Sequence, residues 1–218
     1  MKRLVIFDLD GTLLNSLEDL RAAANYALKC FGYPGHDLEA YRYFVGNGIT
    51  KLIERALPTN ARATENIMQV RKVFIDYYQA HKTMLTRPYP GICELLYLLR
   101  QRGIILAVAS NKFHEATCDL IHFYFGDNTF DVVSGQKEGI PAKPHPDMLE
   151  HILKVTGVKK EEALYVGDSE VDMHTATNCG IESVGVTWGF RPRKELESSG
   201  ANHIADQPAD IINWLKES

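Results

Sequence analysis

The sequence predicts an α/β fold, a Rossmann-like parallel sheet interrupted just after its first strand by an all-helical cap domain. Three observations carry this. Apolar runs of strand length recur, as at residues 4–7, 104–109 and 163–166. From residue 86 onward such runs alternate with segments of helical period, which implies right-handed crossovers and a parallel sheet covered on both faces. Between Ser16 and Leu85, by contrast, the period is helical throughout and no run reads as a strand. The 218 residues suit one core plus a modest insertion. Residues 1–15 and 86–218 are assigned to the core and 16–85 to the helical cap.

Taken in order, residues 4–7 form a buried strand that stops at the polar turn Asp8-Leu9-Asp10-Gly11-Thr12. Ser16 with Asp19 three residues later resembles a capping box, and Leu17, Leu20, Ala24 and Leu28 then share one helix face. About four helices fill the insertion, separated by glycine, proline and asparagine at 32–35, 46–48 and 58–60. After Pro88 and Pro90, a helix at 92–100 leads to the strand 104–109. A helix at about 113–123, a strand at 131–133 and a helix at about 146–155 follow. The strand 163–166, a helix at 170–178, a strand at 182–186, a short strand near His203 and a terminal helix at 209–215 complete the pattern.

Apolar residues make up 45% and charged residues 24%, a globular balance that predicts a packed core rather than a disordered chain. A net charge of −4 gives no basis for binding nucleic acid or an anionic membrane. No apolar run approaches the roughly 20 residues of a membrane span, and the N-terminus lacks a signal-peptide pattern. Cys30, Cys93, Cys118 and Cys179 fit no zinc or redox spacing and read as small hydrophobes in a reducing compartment, so a cytoplasmic location is expected.

In open parallel sheets, ligands sit beyond the carboxyl ends of the strands, where the strand order reverses. Three such ends are polar here. The first carries Asp8 and Asp10, spaced so that both can reach one ligand. The second, Ser110-Asn111-Lys112, offers a hydroxyl and backbone amides and is expected to open a helix, where orphan N–H groups bind anions. The third, Gly167-Asp168-Ser169-Glu170-Val171-Asp172, places two carboxylates a helical turn apart. Lys143 lies between the last two ends in a proline-flanked loop. Carboxylates gathered in one crevice repel by several kcal/mol or take up protons, unless a cation joins them. Oxygen-only ligands, with no histidine or cysteine in the set, describe Mg2+ better than zinc.

In their order and spacing, Asp8-Leu9-Asp10-Gly11-Thr12, Ser110, Lys143 and Gly167-Asp168 with Asp172 resemble the four signature motifs of the haloacid dehalogenase superfamily. The resemblance implies that Asp8 attacks phosphorus to form an aspartyl-phosphate, and that Asp10 serves as acid and then base. Ser110, Lys143, Thr12 and Asn111 would hold the phosphate. Asp8, the main-chain carbonyl of Asp10, and Asp168 would ligate the magnesium, with Asp172 orienting that set. Asp10 separates this pattern from the dehalogenases, which lack the second carboxylate.

The helical insertion can act as a lid that excludes water and brings specificity residues. Its turn Phe44-Val45-Gly46-Asn47-Gly48 is similar to that of phosphoglycolate phosphatases. Gly46, Asn47, Gly48 and Lys51 are therefore the candidate substrate contacts of the cap, with Arg42 a further candidate cation. The loop from Thr187 to Arg191 is expected near the entrance. The expected partner is a small phosphorylated metabolite, most simply 2-phosphoglycolate. Pyrophosphate, nucleoside monophosphates and sugar phosphates, or a β-phosphoglucomutase-like transfer, are the alternatives. The chain would act as a monomer or homodimer.

Overall fold

The structure, a computed structural model, describes residues 1–215. Six strands form one parallel sheet: β1 (Leu4–Phe7), β4 (Ile105–Phe113), β5 (Val132–Gln136), β6 (Ala163–Gly167), β7 (Glu182–Val186) and β8 (His203–Ala205). Their spatial order is β5-β4-β1-β6-β7-β8. The chain builds outward from β1 in one direction through β4 and β5, then returns to β6 on the other side. This reversal opens a crevice beyond the carboxyl ends of β1 and β6.

Strand β1 shows why the sheet is covered on both faces. Val5 and Phe7 point to one side, into a core with Leu106, Val108, Leu164 and Val166. Leu4 and Ile6 point to the other, against Ala107, Tyr165, Leu149 and Ile152. A strand apolar at every position must lose water on both faces, and each fully buried side chain contributes on the order of 1.5–3 kcal/mol. The covering helices are α5 (Ile92–Gln101), α6 (His114–Phe125), α7 (Asp147–Thr156) and α8 (Glu170–Cys179).

The four helices α1 (Leu17–Cys30), α2 (Leu38–Phe44), α3 (Ile49–Ala56) and α4 (Thr64–His81) are consecutive in the chain. They enclose a separate apolar cluster that includes Leu20, Leu28, Tyr41, Ile53, Val70 and Phe74. Ala116 and Phe190 join that cluster from the sheet side. The two crossings between helices and sheet run side by side as a short antiparallel pair, β2 (Leu14–Asn15) with β3 (Arg87–Pro88).

Several expectations need correction. Ser16 and Asp19 do not form a capping box. Ser16 makes no cap hydrogen bond, because its hydroxyl reaches Asp10 instead. Asp19 is buried and accepts from Leu85 N, Thr86 N and the Thr86 hydroxyl, which ties α1 to the returning chain. Strand β4 runs on to Phe113 through an irregularity after Ser110, so Ser110, Asn111 and Lys112 end a strand and α6 opens only at His114. The pair β2–β3 and the short helix α9 (Arg193–Ser198) are additional to the elements that the sequence predicts. The terminal helix is a 3-10 turn at Pro208–Trp214.

Candidate active site

Asp8 stands one residue beyond β1, and its N–H donates to Val166 O at 2.8 Å, which extends the sheet pairing and fixes the backbone beside β6. Asp168 follows β6 directly. Asp172 sits on the first turn of α8, where its side chain accepts from Ser169 N at 3.1 Å and Ser169 Oγ at 2.7 Å in a capping box. Carboxylate oxygens of Asp8, Asp168 and Asp172 lie within 4.8 Å of one another, and all three residues are buried. The approach is possible because glycines line it. A Cβ on Gly11, which has φ +89°, would fall 2.2 Å from Asp168 Oδ2, and one on Gly167 would fall 2.3 Å from Asp172 Cβ.

Lys143 is the cation of this cluster. Its ammonium lies 2.9 Å from Asp8 Oδ1 and 2.8 Å from Asp172 Oδ1, and it donates to Ala109 O and to the Tyr165 hydroxyl. Three carboxylates against one ammonium leave two negative charges uncompensated. The titration tendencies follow. Burial pushes Asp8 up to about 7 although the Lys143 charge opposes it. Burial, together with the charges of Asp172 and Asp8, lifts Asp168 well above the usual carboxylate range. Burial acts the same way on Asp172, but the Lys143 charge and hydrogen bonds from Lys143, Ser169 and Tyr165 hold it below its ordinary value.

A divalent cation fits this arrangement. It would supply the two missing charges, and Asp8 Oδ1, buried with only the Lys143 ammonium at 2.9 Å to answer its charge, keeps acceptor capacity that a metal would use. Both oxygens of Asp172 are already held by Lys143, Tyr165 and Ser169, so Asp172 is better placed to orient Lys143 than to ligate. Asp168 accepts from Phe190 N at 2.7 Å and the Thr12 hydroxyl at 3.3 Å. Thr12 thus addresses Asp168.

Asp10 has a separate set of partners. Ser16 Oγ donates to its Oδ1 at 2.5 Å, and the Lys112 ammonium donates to Oδ1 at 3.0 Å and Oδ2 at 2.8 Å. Asp8, Asp10, Ser110, Asn111 and Lys112 line one wall of a cavity of about 40 Å³, with Leu20, Val45, Gly46, Gly48, Ile49 and Leu52 facing them. The Asn111 side chain joins the two walls, since it donates to Gly46 O and to Lys143 O and accepts from Lys143 N.

Of the cap candidates, Gly46 and Gly48 line this cavity, while Asn47 and Lys51 do not. Asn47 accepts from Arg55 at 2.8 Å, and the exposed Lys51 pairs with Glu54 at 2.6 Å. Arg42 pairs with Glu39 and donates to Gly189 O. The entrance loop after β7 does meet the helices, through Arg191, which donates to the carbonyls of Arg42 and Val45. Sequence reasoning gave no role in the site's chemistry to Lys112 or Tyr165, read Ser16 only as a helix cap, and placed Arg191 only in a loop near the entrance. Lys112 stood in plain view in the Ser110-Asn111-Lys112 segment, but only the fold brings Asp10, 102 residues away, to its ammonium.

A family profile for haloacid dehalogenase-like hydrolases matches residues 5–186. The phosphoglycolate phosphatase of Vibrio vulnificus is 34% identical over 218 residues, covering 97% of this chain and 95% of that protein. A solved structure from Lactobacillus delbrueckii subsp. bulgaricus, provisionally named a phosphoglycolate phosphatase, superposes with a TM-score of 0.93 at 34% identity over all of both chains. CbbY of Rhodobacter sphaeroides, solved in complex with phosphate, superposes at 0.81 with 26% identity over 97% of this chain and 96% of that one. The chain therefore belongs to the haloacid dehalogenase-like hydrolases, as a phosphoric monoester hydrolase akin to the phosphoglycolate phosphatases.

Proposed function

We propose that the enzyme is a magnesium-dependent phosphatase that forms an aspartyl-phosphate on Asp8 and acts on a small phosphorylated acid, 2-phosphoglycolate, releasing glycolate and phosphate. The observation that carries this reading is the two-charge deficit around Asp8, Asp168, Asp172 and Lys143 at the reversal of the sheet. A divalent cation would meet that deficit, and the cation together with the Lys143 ammonium would then offer positive charge to a phosphoryl group. Asp8, Asp168 and the main-chain carbonyl of Asp10 would hold the magnesium, which when bound supplies positive charge to the phosphoryl oxygens.

In this reading Asp8 presents its carboxylate to phosphorus, and the Lys143 ammonium beside it neutralises charge that develops on the transferring group. Ser110, whose hydroxyl oxygen accepts from Lys112 N at 3.3 Å, has its proton free to donate to a phosphate oxygen. Asp10 gives its proton to the leaving alkoxide, then takes one from the water that attacks the aspartyl-phosphate. Residues 16–85 form the cap, and the paired crossings at β2 and β3 form its hinge. Its apolar residues Leu20, Val45, Ile49 and Leu52 keep bulk water off the intermediate.

The substrate assignment follows the phosphoglycolate phosphatases that this chain resembles over nearly its whole length, and the narrow cavity between the apolar wall and the strand ends is in keeping with a short molecule. None of the described helices is long and apolar enough to cross a membrane. Phosphate release should be measured on 2-phosphoglycolate, pyrophosphate, nucleoside monophosphates and sugar phosphates, with magnesium and with EDTA. A magnesium-dependent preference for 2-phosphoglycolate is the expected result, and equal rates across the set would remove the substrate assignment.

A further inference from the structure

The two walls of the active-site cavity differ in what they offer a bound acid. The cap wall is apolar at Leu20, Val45, Ile49 and Leu52 and has no side chain at Gly46 and Gly48. A carboxylate pressed against it would be desolvated without a donor from those side chains, which is unfavourable unless a cation meets it from elsewhere. The opposite wall has one cation, Lys112. Its side chain is buried, and its ammonium lies 4.7 Å from the centre of the Tyr78 ring.

Arg71, whose Nε is buried without a hydrogen-bond partner, lines the adjoining pocket beside Gly48, Ile49 and Asn111 and not this cavity, and the other basic groups nearby are committed elsewhere. Lys143 is held by Asp8 and Asp172. Arg191 pairs with Glu170 and Glu195. Arg55 donates to the carbonyls of Tyr43 and Phe44 and to Asn47. Lys51 and Arg42 have their own glutamates outside the cavity. Lys112 is ion-paired as well, to Asp10 at 2.8 Å, but that partner lines the same cavity, and an ammonium with three donors has one beyond the two Asp10 oxygens.

We infer that Lys112, a residue of the sheet and not of the cap, recognises the second anionic group of the substrate, the carboxylate of a short phosphorylated acid. This rests on the phosphatase reading above and deepens it. Discrimination then comes from the core strand that also carries Ser110, and the cap contributes a dry, close-fitting wall.

The test compares kcat/KM for 2-phosphoglycolate with that for 2-hydroxyethyl phosphate, a neutral analogue of similar length, in wild type and in Lys112→Met, Lys112→Gln and Lys112→Arg. A hydrogen bond to a charged group predicts a wild-type preference for the acid of about 10- to 100-fold. Removing the charge should bring the ratio to within about 3-fold of unity, and Lys112→Arg should keep at least part of it. Loss of the Asp10 contact lowers both rates together and leaves the ratio untouched, so a purely positioning role for Lys112 does not mimic this result. The glutamine variant supplies the ratio if methionine at this buried site prevents folding. A wild-type preference that survives in both neutral variants would overturn the assignment of Lys112 while the phosphatase reading stands. A wild-type ratio near unity would overturn the assignment of Lys112 and the choice of 2-phosphoglycolate, and absence of phosphate release from either ester would overturn the phosphatase reading itself.

Discussion

Replacing Lys143 by methionine keeps the length of the side chain and removes its charge. Its ammonium is the cation within 3 Å of both Asp8 and Asp172, and the side chain is 1% exposed, so solvent cannot substitute for it. Removing one partner of a buried ion pair costs about 3–5 kcal/mol because the remaining charge is left uncompensated. With a urea dependence of about 2 kcal/mol/M, the unfolding midpoint should fall by roughly 2 M at pH 8 in EDTA. The loss should shrink at lower pH, and the sign is fixed. Asp8 already titrates near 7 in the folded protein, above its unfolded value of 3.8. The folded state therefore binds more protons than the unfolded state between those values, and stability falls as pH rises through that window. Without Lys143 the window extends further up, so at pH 5.5 the carboxylates neutralise themselves by taking up protons and the variant loses less. Saturating magnesium at pH 8 should recover part of the loss, because the ion supplies charge to the same cluster. Neutralising a second member, in Lys143→Met/Asp172→Leu, should also be less damaging than the two single losses added together. A midpoint shift under about 0.5 M, or the same shift at pH 5.5 and pH 8, would refute the claim that charge imbalance governs this cluster.

Other outcomes follow from the same geometry. Asp8→Asn should lower turnover of p-nitrophenyl phosphate by about three or more orders of magnitude with an unchanged circular dichroism spectrum, and retention of a tenth of the rate would exclude Asp8 as the nucleophile. Magnesium affinity, measured by calorimetry, should rise with pH and be at least about tenfold weaker at pH 6 than at pH 8, because Asp8 must lose its proton to ligate and burial also holds the proton on Asp168. A pH-independent affinity would contradict the burial of Asp8. Lys51→Ala should change KM for 2-phosphoglycolate by less than about 2-fold, since that side chain is exposed and bound to Glu54; a tenfold rise would return Lys51 to the substrate. Asp19→Ala should lower stability by about 2–4 kcal/mol by leaving Leu85 N, Thr86 N and the Thr86 hydroxyl unsatisfied, read as a fall in thermal midpoint.

What the sequence reveals and what it hides divide along a physical line. Strands β1, β4 and β6 are legible because a strand buried on both faces must be apolar at every position, a local property of four or five residues. The polar residues at their ends are legible for a related reason, since a carboxylate directly after such a run has few structural explanations. Side-chain partnerships across the fold have no local signature. Ser16 and Asp19 stand three apart and satisfy the pattern of a capping box, yet each finds a stronger demand elsewhere, Ser16 on Asp10 and Asp19 on the chain returning at Leu85 and Thr86. The same holds for β2 and β3, two residues each, which pair only because the helical segment brings its two ends together.

Lys112 shows the consequence for reading function. Alone in sequence it is one lysine among the 24 basic residues, and its neighbours Ser110 and Asn111 draw the attention because their types suit a phosphate. The irregularity after Ser110 extends β4 through Lys112, where the expected pattern would have begun a helix. A helix start would offer amides to an anion. An extended end offers side chains instead, and here it carries the ammonium to Asp10 and the Asn111 amide to Gly46 and Lys143. A single element boundary thus sets the chemistry here, replacing backbone donors at a helix terminus by a lysine and an asparagine that bind Asp10, the loop at Gly46 and Lys143 into one wall.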